Sequence, residues 1–364
     1  MSANSSPAGT PKEMEPRVSI IIPAFNAEAR IEAALETVLQ QTMRELEVIV
    51  VNDGSYDRTA SLLRRAMKKD DRIRLIEQAN RGIGEARNQG LAIARGALVA
   101  FLDHDDLWHP EKLQKQADYM DAHPEFAIVA CYSALIDSAG CCLGWRFGGR
   151  IEGNVYDRML EEDLVGGGSV AMVRMQALQA VGFFDGSIPL RADWDLWLRL
   201  TQAYPFGTLR QILVGYTRTP GSTSRDYEQM AWVGAEVIEK ASRGPGGFSE
   251  SRRRYCVARD TFAIAGLCFI DGDNRKALKY LSRSISLSPF PLLRSARRIG
   301  VLAALILSTL LPRVVYEELF SVMSRLVFDI KPGLSFEQLC GSGLQDSGTP
   351  GIDPLLANSA TLDD

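Results

Sequence analysis

The chain has 364 residues, of which 46% are hydrophobic and 24% charged, and its formal net charge is -4. This ordinary globular composition excludes a collagenous or wholly disordered chain, and the length suits one large domain or two. An isoelectric point near 5.6 argues against a general nucleic-acid binder, because such proteins present a basic surface.

The two ends of the chain differ in charge from its body. Residues 1–16 are small and polar, with neither the basic nor the apolar region of a signal peptide, and we predict a disordered leader. Residues 331–364 carry one basic and five acidic residues, and we predict a disordered tail. The six cysteines include no C-x-x-C pair, so a reduced, cytoplasmic protein is expected.

The first hundred residues alternate short apolar runs with longer amphipathic stretches. Val18–Ile22, which stops at Pro23, has the continuous apolar pattern of a buried parallel strand. Asp57 is predicted to cap a helix that reaches Asp70. The predicted strands are 18–22, 47–51, 73–76 and 98–102, and the predicted helices are 26–41, 57–70 and 84–94. This alternation predicts right-handed crossovers and an α/β fold with a mainly parallel sheet flanked by helices.

Later elements are predicted from the same patterns. Strands are expected at 126–131, 169–173 and 212–216, with a helix over Asp193–Ala203. Residues 255–289 resemble a single tetratricopeptide-type hairpin with its turn at Gly272. The second helix matches at Ala277, Leu281, Ser284 and Pro289. Because one repeat cannot bury its own face, we expect it to stack on the preceding domain; a partner-binding role is the alternative.

Acidic residues follow two of the predicted strands. Ligands of an open α/β sheet bind beyond the carboxyl ends of its strands, which here are 23–26, 52–55 and 103–106. Neither a G-x-G-x-x-G loop nor a P-loop is present to hold phosphates. Carboxylates in that place instead suit a divalent cation that carries the phosphates.

Three segments together resemble the family 2 glycosyltransferases of the GT-A fold. They read VSIIIPAFNAEARIEAALETVLQQT, EVIVVNDGSYDRT and NRGIGEARNQGLAIARGALVAFLDHDDLWHPEKL. The resemblance continues through VGFFDGSI and ADWDLWLRL and covers about residues 17–225. It implies an inverting transfer from a nucleoside-diphosphate sugar, with a UDP-sugar as the leading expectation, to a saccharide or lipid-linked acceptor, and with Mn²⁺ or Mg²⁺ as cofactor.

The D-x-D element of this family is matched by Asp103-His104-Asp105. The resemblance implies that Asp105 ligates the metal and that Asp103 lies near the donor ribose and the metal. The alternative is that these aspartates cap the helix that starts near Pro110.

The resemblance also assigns residues to the nucleotide donor. Asp53 matches the aspartate that holds the base, with ordinary turn chemistry as the alternative. Arg87 matches an element near the donor, and a solvated helix face is its alternative. The donor-binding set implied in this way is Pro23, Ala24, Asn26, Asp53, Arg87, Asn88 and Asp103.

Asp193 is the catalytic base that the resemblance implies, and the alternative is that it caps the following helix. Ala192 stands where the family usually has Glu. In the later Tyr216–Ser222 loop, Thr217 and Thr219 replace an Arg and a His of the family pattern. Asp195 is expected to be structural or exposed. One base, one metal and no second carboxylate nucleophile describe a single displacement with inversion.

Residues 291–330 form a basic and apolar segment. Its uncharged run 299–311 would span about 20 Å as a helix, too short to cross a bilayer of ~30 Å. It suits either a core helix or a peripheral contact of 291–313 with the inner face of the plasma membrane.

The predicted organisation is a leader, a glycosyltransferase domain at 17–225, a helical extension at 226–290, the 291–330 segment and the tail. Synthesis of a bacterial surface polysaccharide or glycolipid is the expected role. The alternatives are a nucleotidyltransferase, which would show a different loop after the first strand, and an inactive nucleotide-sugar-binding or scaffolding protein.

Overall fold

A computed structural model describes residues 15–146, 151–217 and 225–288. Its strands are β1 Val18–Ala24, β2 Leu46–Asp53, β3 Ile73–Gln78, β4 Leu98–Phe101, β5 Leu107–Trp108, β6 Ile128–Ile136, β7 Cys142–Arg146, β8 Ala171–Arg174 and β9 Phe206–Thr217. Its helices are α1 Ile31–Leu39, α2 Thr59–Met67, α3 Ile83–Ile93, α4 Lys112–Ala122, α5 Tyr156–Glu161, α6 Met175–Val181, α7 Ala192–Ala203, α8 Tyr227–Arg243, α9 Glu250–Ile270 and α10 Asn274–Leu287.

The described strands form one sheet in the order β3-β2-β1-β4-β8-β6-β9-β5, with β7 paired to β6. The first four strands are parallel, and every residue of β1, β2 and β4 is buried. Strands covered by helices on both faces read as continuous apolar runs, which is why the sequence located β1, β2 and β4. The predicted α/β fold is confirmed.

Beyond β4 the sheet becomes mixed, unlike the mainly parallel sheet predicted. Strand β8 is antiparallel to both β4 and β6, while β9 is parallel to β6 and antiparallel to β5. The reason is local: the chain enters β8 from the single 3₁₀ turn Gly168–Val170, without a crossover helix directly before it. The strand–helix alternation behind the prediction covers only the first hundred residues.

Strand β1 continues through Pro23 instead of stopping there. The carbonyl of Ile21 accepts the N–H of Leu102, so Pro23, two residues on, faces the same side, past the end of β4. A missing N–H removes no ladder bond at that position.

The predicted cap at Asp57 is wrong. Helix α2 begins at Thr59 and ends at Met67, short of Asp70. The Asp57 carboxylate accepts the N–H groups of Thr59 and Glu28, at 2.9 and 3.1 Å, and so braces the turn before the helix.

The C-terminal helices form a hairpin that joins the main core. Gly272 makes the turn between α9 and α10 with a φ of +78°, and Ala277, Leu281 and Ser284 are buried, as the hairpin pattern predicts. Cys256 of α9 belongs to the same apolar cluster as the sheet. Pro289, residues 1–14 of the leader, the 291–330 segment and the tail lie outside the described residues.

Candidate active site

The loops that follow β1 and β2 hold each other. Asn26 has a φ of +48°, a conformation that asparagine tolerates better than most residues. Its N–H donates to the Ser55 hydroxyl (3.0 Å), and its side-chain oxygen accepts the Tyr56 N–H (3.1 Å). Pro23 and Ala24 are buried, and the exposed Phe25 separates them from Asn26. The three residues that the resemblance implies for the nucleoside pocket therefore lie at a braced end of β1.

Asp53 is buried and connects two loops. Its carboxylate accepts the side-chain amide of Gln78 at 2.7 Å and the backbone N–H groups of Arg81 and Gly82 at 2.8 and 2.9 Å. A Cβ on neighbouring Gly54 would lie 2.6 Å from the Asn80 nitrogen, so the two loops pack closely. Local turn chemistry does not describe these long-range bonds. The aspartate holds the loop after β3 in place beside the predicted base site.

Three aspartates follow β4 within four residues: Asp103, Asp105 and Asp106. Together with Asp53 at the carboxyl ends of β1, β2 and β4, they form what we call the carboxylate edge. Burial, and then the charge of Asp103, raise the pKa of Asp105, although His104 and Arg30 oppose this. Burial, and then the charges of Asp105 and Asp103, raise the pKa of Asp106 well above its ordinary value. Burial and the neighbouring carboxylates thus disfavour the charged forms of Asp105 and Asp106.

The donor chemistry of this edge fits a hard divalent cation. Oδ2 of Asp106 is buried with no hydrogen-bond partner in the part of the chain that the structure describes. Carboxylate oxygens are the ligands that Mg²⁺ and Mn²⁺ prefer. Across the described ranges, no three His, Cys, Asp or Glu side chains converge to hold a metal ion. Asp103 and Asp105 would therefore share the ion with oxygens of a bound phosphate or water.

The helix-cap alternative for these aspartates is wrong. Helix α4 begins at Lys112, and the N–H groups of its first turn bond elsewhere: Lys112 to the His109 carbonyl and Leu113 to the Gln41 side chain.

Arg87 lies beside the carboxylate edge. Its guanidinium donates to Asp103 at 2.7 Å, and only 3% of the side chain is exposed, so the solvated-face alternative is wrong. The group packs over the rings of Phe101 and Phe184, at 6.0 and 5.2 Å from their centroids. Its Nε has no hydrogen-bond partner among the described residues. A Cβ at Gly168 would lie 3.0 Å from the guanidinium, which leaves no spare room around it.

Asn88, on the same helix, serves another purpose. Its amide donates to the Phe184 carbonyl (2.9 Å) and accepts the Phe184 N–H (3.0 Å). Both polar atoms of the side chain are thus occupied by a loop 96 residues away. This arrangement makes Asn88 a support of the loop before α7, and its predicted contact with the donor stays a prediction.

Two residues that the sequence did not single out as functional hold the aspartates: Ser169, in the 3₁₀ turn before β8, and Thr217, at the end of β9. The Ser169 hydroxyl accepts the Asp103 N–H at 3.0 Å. The Thr217 N–H donates to Asp106 at 2.9 Å, and its hydroxyl donates to the Asp105 carbonyl. Thr217 stands where the family pattern has Arg, and here it joins the end of β9 to the carboxylate edge. The rest of that pattern, 218–222, lies outside the described residues. The glycine run 166–168 was the only sequence signal near Ser169.

Asp193 lies in the first turn of α7 and is half-buried. Its carboxylate accepts the Trp194 N–H at 2.9 Å. The capping position belongs to Arg191, without a side-chain cap, so the N-cap alternative for Asp193 is wrong. Ala192 is buried, and its methyl lies 3.8 Å from where a Cβ on Gly84 would be. The place of the usual Glu is therefore filled by a close contact between α7 and α3.

The charges behind α7 are paired, in contrast to those of the carboxylate edge. Asp195 is buried, and it forms ion pairs with Arg199 at 2.9 Å and with Lys240 of α8 at 2.8 Å. Lys240 also pairs with Asp185, which lowers the pKa of that carboxyl to about 2. The expectation that Asp195 is structural fits this network.

The chain matches the model of glycosyl transferase family 2 over residues 19–182. It is 40% identical over 118 residues to the uncharacterized glycosyltransferase EpsJ of Bacillus subtilis, which covers 32% of this chain and 34% of that protein. It is 32% identical over 203 residues to an uncharacterized glycosyltransferase of Rickettsia conorii, and this match covers 54% of this chain and 33% of that protein. Residues 19–182 are therefore identified as a glycosyl transferase family 2 region. The chain spans about a third of the length of these two curated relatives.

Solved structures share its fold. S. aureus TarS 1–349 superposes with a TM-score of 0.53 at 20% identity, covering 80% of this chain and 91% of that one. The mannosyltransferase PcManGT from Pyrobaculum calidifontis, in complex with GDP-Man and Mn²⁺, superposes with a TM-score of 0.55 at 20% identity. The superposition covers 85% of this chain and 84% of that one. The predicted GT-A fold is confirmed. Among the described helices, none is long and apolar enough to cross a membrane.

Proposed function

We propose that this protein transfers a glycosyl group from a nucleoside-diphosphate sugar to a hydroxyl acceptor, with inversion at the anomeric carbon. The observation that carries the proposal is the carboxylate edge: clustered aspartates, held by Arg87, Ser169 and Thr217, beside the loops that Asp53 and Asn26 brace. Such an edge suits a ligand that brings positive charge and phosphates together. Asp103 and Asp105 would hold Mn²⁺ or Mg²⁺.

In this proposal, Asp193 accepts the proton of the acceptor hydroxyl. The hydroxyl oxygen forms a bond to the anomeric carbon while the bond from that carbon to the diphosphate oxygen breaks. The electron pair of the broken bond leaves with the nucleoside diphosphate. A bound divalent cation supplies charge stabilisation to that leaving group. A single displacement of this kind needs one base and no carboxylate nucleophile.

The donor nucleotide is proposed to be a uridine diphosphate, with guanosine as the competitor. A TarS fragment was solved with UDP-GlcNAc and the Pyrobaculum enzyme with GDP-Man. A role in surface polysaccharide or glycolipid synthesis is supported by 30% identity over 197 residues to the chondroitin synthase of Escherichia coli, of which the match covers 28%.

The decisive experiment is a panel of UDP-glucose, UDP-galactose, UDP-GlcNAc and GDP-mannose with Mn²⁺. Thermal shift measures binding, and released nucleoside diphosphate measures turnover, with water as the simplest acceptor. We expect one donor to turn over, and Asp105→Asn to reduce that rate about 100-fold or more. Asp118→Asn, which changes an exposed aspartate of α4, is the matched control. Equal turnover in Asp105→Asn and wild type would contradict the proposal.

The second candidate is a nucleotide-sugar-binding protein without catalysis. It is favoured by the buried Ala192, which puts a methyl where the family usually has a carboxylate. Metal-dependent binding of a panel donor without release of nucleoside diphosphate would support this candidate.

We also propose a peripheral membrane contact through 291–313, on the basis of its sequence alone. Arg294, Arg297 and Arg298 precede the uncharged run 299–311, and basic groups beside apolar residues favour anionic lipid surfaces. In flotation with phosphatidylglycerol vesicles, we expect the full chain to float and a triple Arg→Gln variant to float less. Equal flotation of the two would refute the contact.

A further inference from the structure

The N-terminus of α7 has an unusual backbone. Arg191 has a φ of +61°, in the left-handed region that non-glycine residues rarely occupy. It lies two residues before Asp193, so its conformation fixes the direction in which the first turn of α7 begins. A residue keeps such a conformation only where its surroundings impose it.

The surroundings that impose it are the C-terminal helices. The Arg191 guanidinium binds Asp260 of α9 in a two-pronged ion pair, at 2.7 and 2.9 Å, and also donates to the Met230 carbonyl of α8 at 3.2 Å. The side chains of Arg191 and Asp260 are 12% and 7% exposed. Two parallel hydrogen bonds between planar groups fix orientation as well as distance. We call this contact the Arg191–Asp260 pair.

Helix α8 leaves a gap for this pair at Gly234. A Cβ there would lie 2.2 Å from Asp260 Oδ2 and 2.5 Å from Arg191 Nη1. Glycine costs stability in the middle of a helix, so its presence here is explained by the space the pair needs. Helices α8 and α9 and the start of α7 thus meet at this one buried contact.

The pair reaches Asp193 through Trp194. The Arg191 guanidinium lies over the indole ring, 4.2 Å from its centroid, and the indole N–H donates to the Met159 carbonyl at 2.8 Å. The ring is therefore held on one face and at its edge. The backbone N–H of Trp194 donates to the Asp193 carboxylate. This bond places the carboxylate relative to the fixed indole ring.

We infer that the Arg191–Asp260 pair positions Asp193 for proton transfer, so that helices α8 and α9 complete the active site. This inference rests on the proposed role of Asp193 as base. Arg191 and Asp260 are positioning residues: they act through the first turn of α7 and are not assigned contacts with substrate. A shift of about 1 Å in a reacting group can reduce rate by about 100-fold.

The test measures the Mn²⁺-dependent hydrolysis of whichever panel donor turns over, together with the affinity for UDP in the presence of Mn²⁺. The first variant is Asp260→Asn, which keeps the shape and removes the charge. Because an unpaired buried Arg could prevent folding, the second variant is Arg191→Met with Asp260→Leu, which leaves no buried charge. Ser284→Ala is the matched control: it removes a buried hydrogen bond from Ser284 to the Ala258 carbonyl, between α10 and α9, away from α7.

We expect kcat to fall about 100-fold in both pair variants, with UDP affinity within twofold of wild type and an unchanged rate in Ser284→Ala. In an Asp193→Asn background, Asp260→Asn should add no further loss, because residues that act through one group are not additive. A wild-type kcat in the double apolar variant would overturn the inference. So would a parallel loss of UDP affinity, or a full additional loss in the Asp193→Asn background.

Failure of the proposed function has a different signature. In that case either no panel donor is hydrolysed by the wild type, or Asp193→Asn itself hydrolyses the donor at the wild-type rate, whatever the pair variants do. Failure of the inference alone leaves Asp193→Asn impaired and the pair variants active.

Discussion

The carboxylate edge and the helices behind α7 treat charge in opposite ways. At the edge, Asp106 is buried and Asp105 is half-buried beside Asp103, and Arg87 donates a hydrogen bond to Asp103. Behind α7, the aspartates 185, 195 and 260 each have an Arg or Lys partner. An unbalanced buried charge is costly unless something neutralises it. The first region is therefore arranged to receive a ligand, and the second to hold a shape.

The sharpest way to test this division is Asp193→Asn. Removal of a general base typically lowers rate by 10²–10⁴, so we expect donor hydrolysis to fall about 10³-fold. UDP affinity should not change, because the donor is proposed to bind at the other region. The measurement is released UDP or GDP alongside calorimetric UDP binding. Asp157→Asn, at an exposed position, serves as control. A loss of UDP affinity in Asp193→Asn would contradict the division of donor binding and proton transfer between the two regions.

Arg87→Met tests whether the carboxylate edge needs the ion pair between Arg87 and Asp103. Without it, Asp103 loses the 2.7 Å contact that orients it, and we expect kcat/KM to fall about 100-fold. Arg87→Lys should lie between, because a lysine keeps the charge but not the planar group that stacks on two rings. Steady-state kinetics at several Mn²⁺ concentrations measures both. Arg64→Met, at an exposed ion pair, provides the comparison; kinetics within twofold of wild type in Arg87→Met would refute the role.

Gly234→Ala tests whether helix α8 fits closely around the Arg191–Asp260 pair. The added methyl meets Asp260 and Arg191, and we expect the free energy of unfolding to fall by about 2 kcal/mol. Gly266→Ala in α9 points into open space, so it should gain about 0.5–1 kcal/mol from helix propensity. Denaturation in urea compares the two. If Gly234→Ala were as stable as Gly266→Ala, the tight fit around the pair would be disproved.

The smallest effect concerns Lys112, a fully buried lysine below the edge. Its ammonium donates to Gln116 at 2.7 Å and lies 3.9 Å from the centre of the Trp108 ring, with no carboxylate partner among the described residues. Burial lowers its pKa from the ordinary 10.5 of a lysine to about 8. The folded protein therefore releases this proton at lower pH than the unfolded chain does.

Stability consequently rises with pH between about 8 and 10.5, where the unfolded chain still binds the proton. We expect the unfolding free energy of wild type minus that of Lys112→Met to increase by roughly 2 kcal/mol from pH 7.5 to 10, since other groups cancel in the difference. Urea denaturation at several pH values measures it. A flat difference would show that Lys112 keeps its proton when folded.

The two regions also differ in how far sequence could predict them. Strand-end residues such as Asp53 and Asp103 are found from local patterns, because the apolar run of a buried strand stops where the polar residues begin. Partners across the chain leave no such mark: Thr217 meets Asp106 over 111 residues, and Arg191 meets Asp260 over 69. Asn88 shows that a motif predicts position better than contacts. The helical spacing predicted its place on α3 but not its hydrogen bonds to Phe184.

The gap at Gly234 sets a rule for how this protein can change over time. A larger residue at 234 is tolerated best after the pair has gone, and loss of Asp260 alone leaves the guanidinium of Arg191 without its carboxylate. Substitutions at 191 and 260 should therefore be inherited together, and larger residues at 234 should be found mainly in chains that lack the pair.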